Sequence, residues 1–293
     1  MEMNMDLGRE KLPWTEEVWK FIDEAVYAEA RRTEVAARFL PCHGPVGPVL
    51  TVPADRIDPD TMTVEEGLVT PILEIWTEFS LTEPQVAHED QLKTAVTLAT
   101  RSMNLLNNAM DRLIFQGEAA VNAGDQTLLG GRVRLRSRPN GIDFLGSAAD
   151  IEPVEPVATE PRVRYSEAAA SAVFRAYARL QGRGHYGPYA AAFNPVQWGD
   201  LHEFLENTLI MPADRVKAIT DAGAYGSGSV ADNTGFLISL GGNTMDLVIG
   251  IAPVTVVMQQ DTDGRWRFRV FERFALRLKL QDAVVRFDFE RPG

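Results

Sequence analysis

In this 293-residue chain, the side chains best suited to metal binding or nucleophilic chemistry are those of four histidines and one cysteine. They are His43, His88, His185, His202 and Cys42. The histidines are too scattered along the chain to indicate a ligand set. His202-Glu203 begins like a zinc-peptidase motif, but Glu206 stands where that motif requires its second histidine. As the single cysteine, Cys42 can form neither an intrachain disulfide nor a cysteine-rich metal site. We therefore predict no metal ligands.

Two short segments resemble weak forms of cofactor or catalytic motifs. The Gly-Ser-Gly at 226–228 supplies two glycines of a dinucleotide fingerprint, but Ala231 stands at the third position and no helix signal follows. The Asp-Thr-Asp-Gly at 261–264 differs from an aspartic-protease motif by an inserted aspartate, and a hairpin tip is too solvated for two carboxylates to share a proton. A nucleophile elbow and a phosphate loop are both absent from the sequence. The sequence thus predicts no catalytic residue and no cofactor, and we predict that the chain is not an enzyme.

Composition and charge narrow the choice of partners. Hydrophobic residues make up 45% and charged residues 24% of the chain, a balance typical of globular proteins. The net charge of −12 argues against general binding to nucleic acid or to anionic membranes. No apolar run approaches the roughly 20 residues that span a bilayer. Residues 1–6 are acidic where a signal peptide would be basic, so a cytoplasmic location is expected.

The first element that could position functional groups is a helix predicted to begin near Thr15. Thr15 is a suitable N-cap, and Glu16 and Glu17 place negative charge where the helix dipole favours it. Apolar residues recur every four positions and form one stripe, which needs a partner surface. They are Trp14, Val18, Ile22, Val26 and Ala30.

Residues 41–75 follow a different pattern, in which prolines and glycines separate short β-like runs such as residues 49–52. A segment of this length without a helix is usually functional or involved in assembly. On the residues alone, an extended arm and a meandering surface loop remain equally good interpretations.

A long helix is predicted from about Glu89 to Gly117, where glycine favours a helix stop. Its apolar residues alternate steps of four and three over three heptads. They are Leu92, Val96, Ala99, Met103, Leu106, Met110 and Leu113. Coiled coils usually need more heptads and charged flanks. The asparagines Asn104, Asn107 and Asn108 favour a spine helix that lies across a sheet.

The middle of the chain predicts a turn-rich stretch and then alternating strands and helices. Residues 132–136 alternate as a strand, the Asn-Gly at 140–141 is a turn signal, and the Pro/Glu run at 152–156 is interpreted as an exposed connector. A helix at 166–182, a strand at 189–193 and a helix near 197–206 follow.

The C-terminal third is predicted to be β structure with one apolar and one basic face. A strand region at 246–258 leads through a hairpin turn at 261–264 to residues whose alternate side chains are apolar or basic. A final short strand is predicted at 284–289.

The basic face comprises Arg265, Arg267, Arg269 and Arg273, continued by Arg277 and Lys279. It is interpreted either as a solvated outer face or as an intersubunit surface that pairs with acidic residues of a neighbour. Nucleic-acid binding ranks third, because only Phe271 interleaves with the basic residues.

Several segments, taken in order, resemble the encapsulin shell proteins. The first is Leu12-Pro13-Trp14-Thr15-Glu16-Glu17-Val18-Trp19, followed by Arg38-Phe39-Leu40 and Gly44-Pro45, and the second is Asp111-Arg112-Leu113-Ile114-Phe115-Gln116-Gly117. The third is Gly184-His185-Tyr186-Gly187-Pro188-Tyr189, followed by Asn194-Pro195, Trp198 and Leu201. The fourth is Met245-Asp246-Leu247, followed by the strand at 274–280. Their order and spacing carry the match. The resemblance implies an α+β chain with the major capsid protein fold of tailed phages. It implies that a peripheral domain is built from three stretches of the chain: the N-terminal helix and the start of this domain at 1–46, the spine helix and an insert at 79–165, and a C-terminal β part at 241–293. An extended loop is implied at 47–78 and an axial domain at 166–240.

The resemblance also implies a function, as a self-assembling shell of sixty or a larger icosahedral multiple of subunits. Such shells enclose a cargo enzyme, commonly a ferritin-like protein or a dye-decolorising peroxidase, for iron storage or oxidative-stress defence. Cargo is captured by its short C-terminal peptide, and an apolar groove with a nearby cation suits such a peptide. The matching positions are Val35, Arg38, Phe39, Leu40, Leu276, Leu278 and Leu280. The chain has Ala36-Ala37 where many encapsulins have Gly-Arg, so the arginine of the pocket is missing.

A pore at the five-fold axis is the second implied site. The loop expected there comprises Glu206, Asn207, Thr208, Leu209, Ile210 and Met211. A ring of Glu206 side chains would favour small cations. The alternatives are a phage or prophage major capsid protein, which often has an N-terminal scaffolding region, and, more remotely, a hydrolase.

Overall fold

The computed structural model describes residues 7–58, 61–136, 144–158, 163–205 and 208–291. The helices in these ranges are α1 (Glu16–Thr33), α2 (Ala36–Phe39), α3 (Glu83–Ala87), α4 (Glu89–Leu92), α5 (Thr94–Gln116), α6 (Ser166–Gly182), α7 (Pro195–Leu201) and α8 (Pro212–Lys217). The strands are β1 (Cys42–His43), β2 (Thr51–Pro53), β3 (Arg56–Asp58), β4 (Thr63–Glu65), β5 (Val69–Pro71), β6 (Leu73–Leu81), β7 (Thr127–Leu128), β8 (Val133–Arg136), β9 (Asp150–Val154), β10 (Tyr189–Phe193), β11 (Ala224–Gly226), β12 (Thr234–Ser239), β13 (Met245–Gln260), β14 (Trp266–Leu278) and β15 (Val284–Phe289). The predicted mixture of helices and strands is confirmed. Within the described ranges, no helix is long and apolar enough to cross a membrane.

A six-stranded sheet with the order β1-β13-β14-β6-β8-β7 forms the larger half of the molecule. Its centre is the long β13–β14 hairpin, whose turn at 261–264 is confirmed. The Asp261 carboxylate fixes this turn by accepting the backbone N–H groups of Asp263 and Arg265 at 3.0 and 2.9 Å. The alternation in β14 is also confirmed, because Phe268, Val270 and Phe274 are buried in the core on one face of the sheet.

Helices α1 and α5 cover that apolar face. The stripe of α1 is buried at Ile22, Val26 and Ala30, and Thr15 precedes the helix as predicted. Asn107 of α5 donates to the Ala30 carbonyl at 2.8 Å, which joins the two helices near the end of α1. The spine helix is therefore docked on a sheet and on a second helix, as predicted.

The start of the spine helix corrects the sequence prediction. Lys93 has a left-handed backbone, with φ of 52°, and separates the one-turn α4 from α5. The buried Glu89 carboxylate accepts the N–H groups of Ala95 and Val96 at 2.8 and 3.2 Å, so a residue predicted to lie within the helix instead caps it. Leu92, predicted as the first core position, is 55% exposed because it precedes this break.

Within the proline-rich region, residues 51–71 form two short antiparallel ladders, and we call this segment the arm. Strand β2 pairs with β5, and β3 pairs with β4, in two successive antiparallel ladders. The arm ends at Pro71, because β6 enters the six-stranded sheet from Leu73. The last part of the predicted loop at 47–78 is therefore a sheet strand.

A five-stranded sheet with the order β11-β10-β12-β15-β9 forms the second half. Helix α6 is confirmed at its predicted position and packs on one face of this sheet. The other face meets the end of α5, where Phe115 and Phe236 stack with ring centroids 5.7 Å apart. The two halves thus share a continuous core at this point.

Two assignments along the chain are corrected by this second sheet. The connector predicted at 152–156 is wrong at its start, because Asp150–Val154 forms β9 and pairs with β15. Glu152 is buried there between Arg175 and Arg179, at 2.6 and 2.8 Å, so its charge is neutralised. Strand β15 lies in the five-stranded sheet although it falls in the range 241–293 that was assigned to the peripheral half. Its Val285 and Phe287 fill the core beneath α6, which explains why β15 belongs to the five-stranded sheet.

Candidate functional site

The junction between α1 and α2 is held by one buried carboxylate. Asp111 of α5 accepts the backbone N–H of Val35 at 3.1 Å through Oδ2 and that of Ala36 at 2.9 Å through Oδ1. These are the first donors of a four-residue helix that has no N-terminal side-chain cap of its own. Burial raises the pKa of Asp111 to about 7, against the opposite effect of the two backbone hydrogen bonds. Asp111 therefore fixes where α2 begins.

A second buried acid lies on the strand beneath this junction. Glu272 of β14 is 4% exposed, and its Oε1 has no hydrogen-bond partner in the described structure. Burial, together with the neighbouring charges of Asp111 and Glu34, raises the pKa of Glu272 to about 8. Burial also raises the pKa of Glu34, at the end of α1. Three carboxyl groups thus interact around one chain reversal.

Four of the seven predicted cargo-contact residues lie in the core. Phe39, Leu40, Leu276 and Leu278 are between 1% and 6% exposed and belong to the central apolar cluster. The Phe39 ring stacks on Tyr225, with centroids 5.7 Å apart. The accessible members are Val35, Arg38 and Leu280, which we call the α2 surface. The structure therefore leaves three of the seven predicted residues accessible, and their role in cargo binding stays a prediction.

Arg38 supplies the cation of the α2 surface. Its Nη2 donates to the Arg32 carbonyl at 2.7 Å, so the guanidinium caps the C-terminal end of α1 while it remains exposed. This geometry places a positive charge beside partly buried apolar groups. That combination suits a short peptide with apolar anchors and an acidic group.

A polar cleft next to α2 was missed by sequence analysis. It has a volume of about 290 Å³ and is lined by Thr33, Val35, Asn104, Asn108, Asp111 and residues 226–229. Ser229 closes one side, where its hydroxyl donates to the Asn108 carbonyl and its carbonyl accepts from Gln116. The glycines at 226–228 therefore build a wall of this cleft. Strand β12 follows them, which excludes the dinucleotide fingerprint.

Of the buried acids at this junction, only Glu272 could have been recognised from the sequence pattern. Glu272 occupies an inward position of β14, between apolar residues such as Val270 and Phe274. An acid at such a position departs from the alternation and indicates a buried charge. Asp111 gave no comparable signal, because its partners Val35 and Ala36 are some 75 residues distant along the chain.

The predicted basic face lies on the opposite side of the six-stranded sheet and is largely neutralised within the chain. Arg269 donates to Glu78 at 2.7 Å, and Arg273 donates to Glu74 at 2.6 Å. Arg277 and Lys279 both donate to Asp246, at 2.6 and 3.1 Å. Arg265 and Arg267 are exposed at the hairpin end. Contact of this face with a neighbouring subunit stays a prediction.

The loop predicted at the five-fold axis projects from the five-stranded half. Glu206 and Asn207 lie outside the described residues. Leu209 and Ile210 are 89% and 51% exposed. Thr208 shapes the loop, because its hydroxyl donates to the Leu205 carbonyl and accepts the Ile210 N–H. Met211 leads into α8. A pore lined by this loop stays a prediction.

Two of the four histidines, His185 and His202, have separate structural partners. His202 packs on Trp198, and its Nδ1 lies 2.8 Å from the Trp198 carbonyl. His185 Nε2 lies 3.0 Å from Asp282. In the ranges that the structure describes, no three His, Cys, Asp or Glu side chains are placed to hold a metal ion.

Comparison with known proteins finds one matching family model and solved structures with a similar fold. The model described as encapsulating protein for peroxidase matches residues 3–124 and 142–275. The type 1 encapsulin shell protein EncA of Myxococcus xanthus is 26% identical over 297 residues, covering 95% of this chain and 94% of that protein. A virus-like particle protein from Pyrococcus furiosus has a similar structure, with a TM-score of 0.68 at 15% identity over 94% of this chain and all of that one. The capsid protein of phage XM1 gives a TM-score of 0.57 at 11% identity, covering 87% and 91% of the two chains.

Proposed function

This chain belongs to the family of encapsulating proteins for peroxidase and is a shell protein, and we propose that its copies close into an icosahedral compartment around a cargo enzyme. The observation that carries the proposal is the family match, which covers the arm and most strands of both sheets. The proposed assembly contains sixty subunits or a larger icosahedral multiple. The phage-like fold supports a closed shell, because the same architecture forms phage capsids.

The arm provides a physical reason for assembly. From Leu50 to Val69 this region carries several apolar side chains that are exposed in the single chain. They include Leu50, Ile57, Met62, Val64 and Val69, of which Met62 and Leu50 are 84% and 79% exposed. Apolar side chains exposed in this number are unfavourable for a monomer in water and indicate an interaction surface. A neighbouring subunit is the occupant we propose.

We place cargo capture at the α2 surface and the adjoining polar cleft. A C-terminal peptide of the cargo enzyme would bury apolar anchors against Val35 and Leu280 and direct an acidic or carboxyl group to Arg38. The family description names a peroxidase, so a dye-decolorising peroxidase is the first cargo to test and a ferritin-like protein the second. The proposed roles are accordingly oxidative-stress defence or iron storage in the cytoplasm.

Two further sites complete the proposal. The exposed loop at 208–211, together with Glu206 and Asn207, would line a pore at the five-fold axis. The exposed arginines Arg265 and Arg267 would contact an acidic neighbour, and Arg269 and Arg273 would keep the same face rigid through their ion pairs.

Purification of the protein after co-expression with the enzymes encoded beside its gene tests this function. The expected result is closed particles that contain one of these enzymes and lose it when its C-terminal tail is deleted. Closed particles that never contain a host enzyme, whatever its tail, would favour the phage-capsid alternative. A monomeric protein with hydrolytic activity would contradict both.

A further inference from the structure

The C-terminal ends of α7 and α8 are joined by a histidine that belongs neither to the α2 surface nor to the arm. His202 directly follows α7, and Lys217 is the last residue of α8. The Nε2 atom of His202 lies 3.4 Å from the Nζ atom of Lys217, and we call this pair the α7–α8 contact. The chain between the two helices carries Leu209 and Ile210, both exposed. The α7–α8 contact therefore lies where this projecting segment leaves and rejoins the five-stranded half.

The two ring nitrogens of His202 have different partners, which selects one protonation state. An ammonium group carries only donors, so Lys217 can hydrogen-bond to Nε2 only while Nε2 is unprotonated and accepts. The proton of the neutral ring then lies on Nδ1, which is 2.8 Å from the Trp198 carbonyl and donates to it. The α7–α8 contact thus requires a neutral His202 with its proton on Nδ1.

Trp198 holds both side chains of the contact. The His202 ring packs against the indole with centroids 4.4 Å apart, and the Lys217 Nζ lies 5.9 Å from the centre of the same indole. The indole itself stacks on the buried Phe193, with centroids 6.1 Å apart. On its other side it lies against Gly226, where a Cβ atom would come within 2.2 Å of Trp198 Cδ1. A fixed indole therefore keeps the imidazole and the ammonium side by side.

Most of the other charged groups near the contact have partners of their own. Glu203 pairs with Arg164 at 3.8 Å, and the buried Asp200 accepts the Tyr165 N–H at 3.0 Å. On α8 and the adjoining α6, the charged groups are Asp214, Arg215 and Glu167, of which Arg215 and Glu167 form an ion pair. Asp214 is exposed and lies one turn before Lys217 on the same helix. It is the carboxylate available to the Lys217 ammonium when that group leaves His202.

We propose that the α7–α8 contact is a pH-sensitive connection, closed at neutral pH and open in mild acid. Histidine side chains change their charge between about pH 5 and pH 8. Once Nε2 carries a proton it can no longer accept from Lys217, and two positive groups face each other at close range. Nδ1 donates to Trp198 in both states, so the ring stays in place and Lys217 moves away. The segment that carries Leu209 and Ile210 then loses one of its two anchored ends.

For its meaning in the shell, this inference rests on the proposed pore at the five-fold axis, because Leu209 and Ile210 belong to the loop assigned to that pore. Opening of the α7–α8 contact would make passage through the pore dependent on pH. The contact itself requires no pore, so the two ideas can be tested separately.

Hydrogen exchange of the assembled protein at pH 7.5 and pH 5.5, corrected for the intrinsic effect of pH, tests the contact. The amides to follow are those of Leu205 and Thr208, which donate to the carbonyls of Ile210 and Leu205. In the wild type, we expect their protection to fall by at least about threefold at pH 5.5, because the open state binds the additional proton more tightly. His202→Gln should abolish this fall, since the amide oxygen accepts from Lys217 and does not titrate.

Two further variants sharpen the comparison. Lys217→Met, at an exposed position, removes the second positive charge and should give equal protection at both pH values. His43→Gln, at an exposed histidine of β1, is the matched control and should behave as the wild type.

Equal protection of the wild type at both pH values would overturn the proposal, as would a fall of the same size in His202→Gln. If His202→Gln fails to fold, Lys217→Met decides alone, because a pH dependence retained in that variant overturns the proposal equally. Passage is assayed separately, as turnover of a small dye by a peroxidase enclosed in the shell relative to the free enzyme. Equal relative turnover at both pH values, combined with pH-dependent exchange, would contradict the pore role alone.

Discussion

The Oδ1 atom of Asp111 accepts the backbone N–H of Ala36 at 2.9 Å and so connects the spine helix to the start of α2 across 75 residues of sequence. The acceptor and the donor are both buried. A buried hydrogen bond of this kind fixes one position of the chain, because neither group can exchange its partner for water.

Replacement of Asp111 by alanine should destabilise the subunit by about 1–3 kcal/mol, because two buried N–H groups lose their acceptor. Asp111→Asn should also destabilise it, since the amide nitrogen cannot accept the second N–H group. Urea denaturation of unassembled subunits measures both effects. Asp263→Asn at the exposed hairpin tip is the control and should change stability by less than about 0.5 kcal/mol. Equal stability of Asp111→Ala and the wild type would show that water replaces the carboxylate.

Replacement of Glu89 by alanine should destabilise α5 specifically. Its carboxylate accepts the Ala95 and Val96 N–H groups at the start of the helix, and the expected cost is about 1–2 kcal/mol. Amide exchange at residues 95–98 should accelerate more than exchange in α6. The neighbouring exposed Asp90→Ala is the control. Uniform acceleration throughout the chain would indicate a packing defect rather than a lost cap.

Charge reversal should distinguish Arg267 from Arg269 on the same sheet face. Arg269 is paired with Glu78 at 2.7 Å, so Arg269→Glu should lower subunit stability, and the double variant Arg269→Glu/Glu78→Arg should restore part of it. Arg267 is exposed, so Arg267→Glu should leave subunit stability unchanged and reduce the yield of shells. Thermal unfolding and particle yield are the two measurements. Normal shell yield for Arg267→Glu would show that this arginine is simply solvated.

The stability of the subunit should fall as pH rises from about 4.5 to about 8. Glu272 has an ordinary pKa near 4.5 when unfolded and a pKa of about 8 when folded. Within this window the unfolded chain releases the proton while the folded chain retains it, so deprotonation favours unfolding. Urea midpoints at pH 5 and pH 8 measure the effect, and Glu272→Gln should show a smaller decrease. A midpoint that rises equally in both proteins over this window would contradict the assignment.

Periodicity predicted those parts of the fold that are determined by one element and one partner face. The spine helix from Ala99 to Leu113, the helix at Ser166–Gly182 and the β14 alternation follow from apolar residues that recur at helical or strand spacing. Each of these patterns is visible in the sequence because burial of one face of the element requires apolar residues at that spacing.

The errors occurred where a distant residue overrides a local signal. The Pro/Glu run at 152–156 was interpreted as exposed, but Arg175 and Arg179 of α6 neutralise Glu152 and allow β9 to join the sheet. The start of α5 was displaced because Glu89 caps it from the preceding turn. The burial of four of the predicted cargo residues was not foreseen, because it depends on distant contacts such as the stacking of Phe39 on Tyr225, which no local pattern reveals.

The central claim, that this chain is a subunit of a closed shell, is tested most directly by the mass and shape of the purified protein. Electron microscopy combined with light scattering should show closed particles of at least sixty copies, which corresponds to about 1.9 MDa for a 32.4 kDa chain. The arm variant Met62→Asp/Val64→Asp should remain folded and should fail to form them, because both side chains are exposed in the single chain. A wild-type protein that remains a 32.4 kDa monomer at micromolar concentration would contradict the claim.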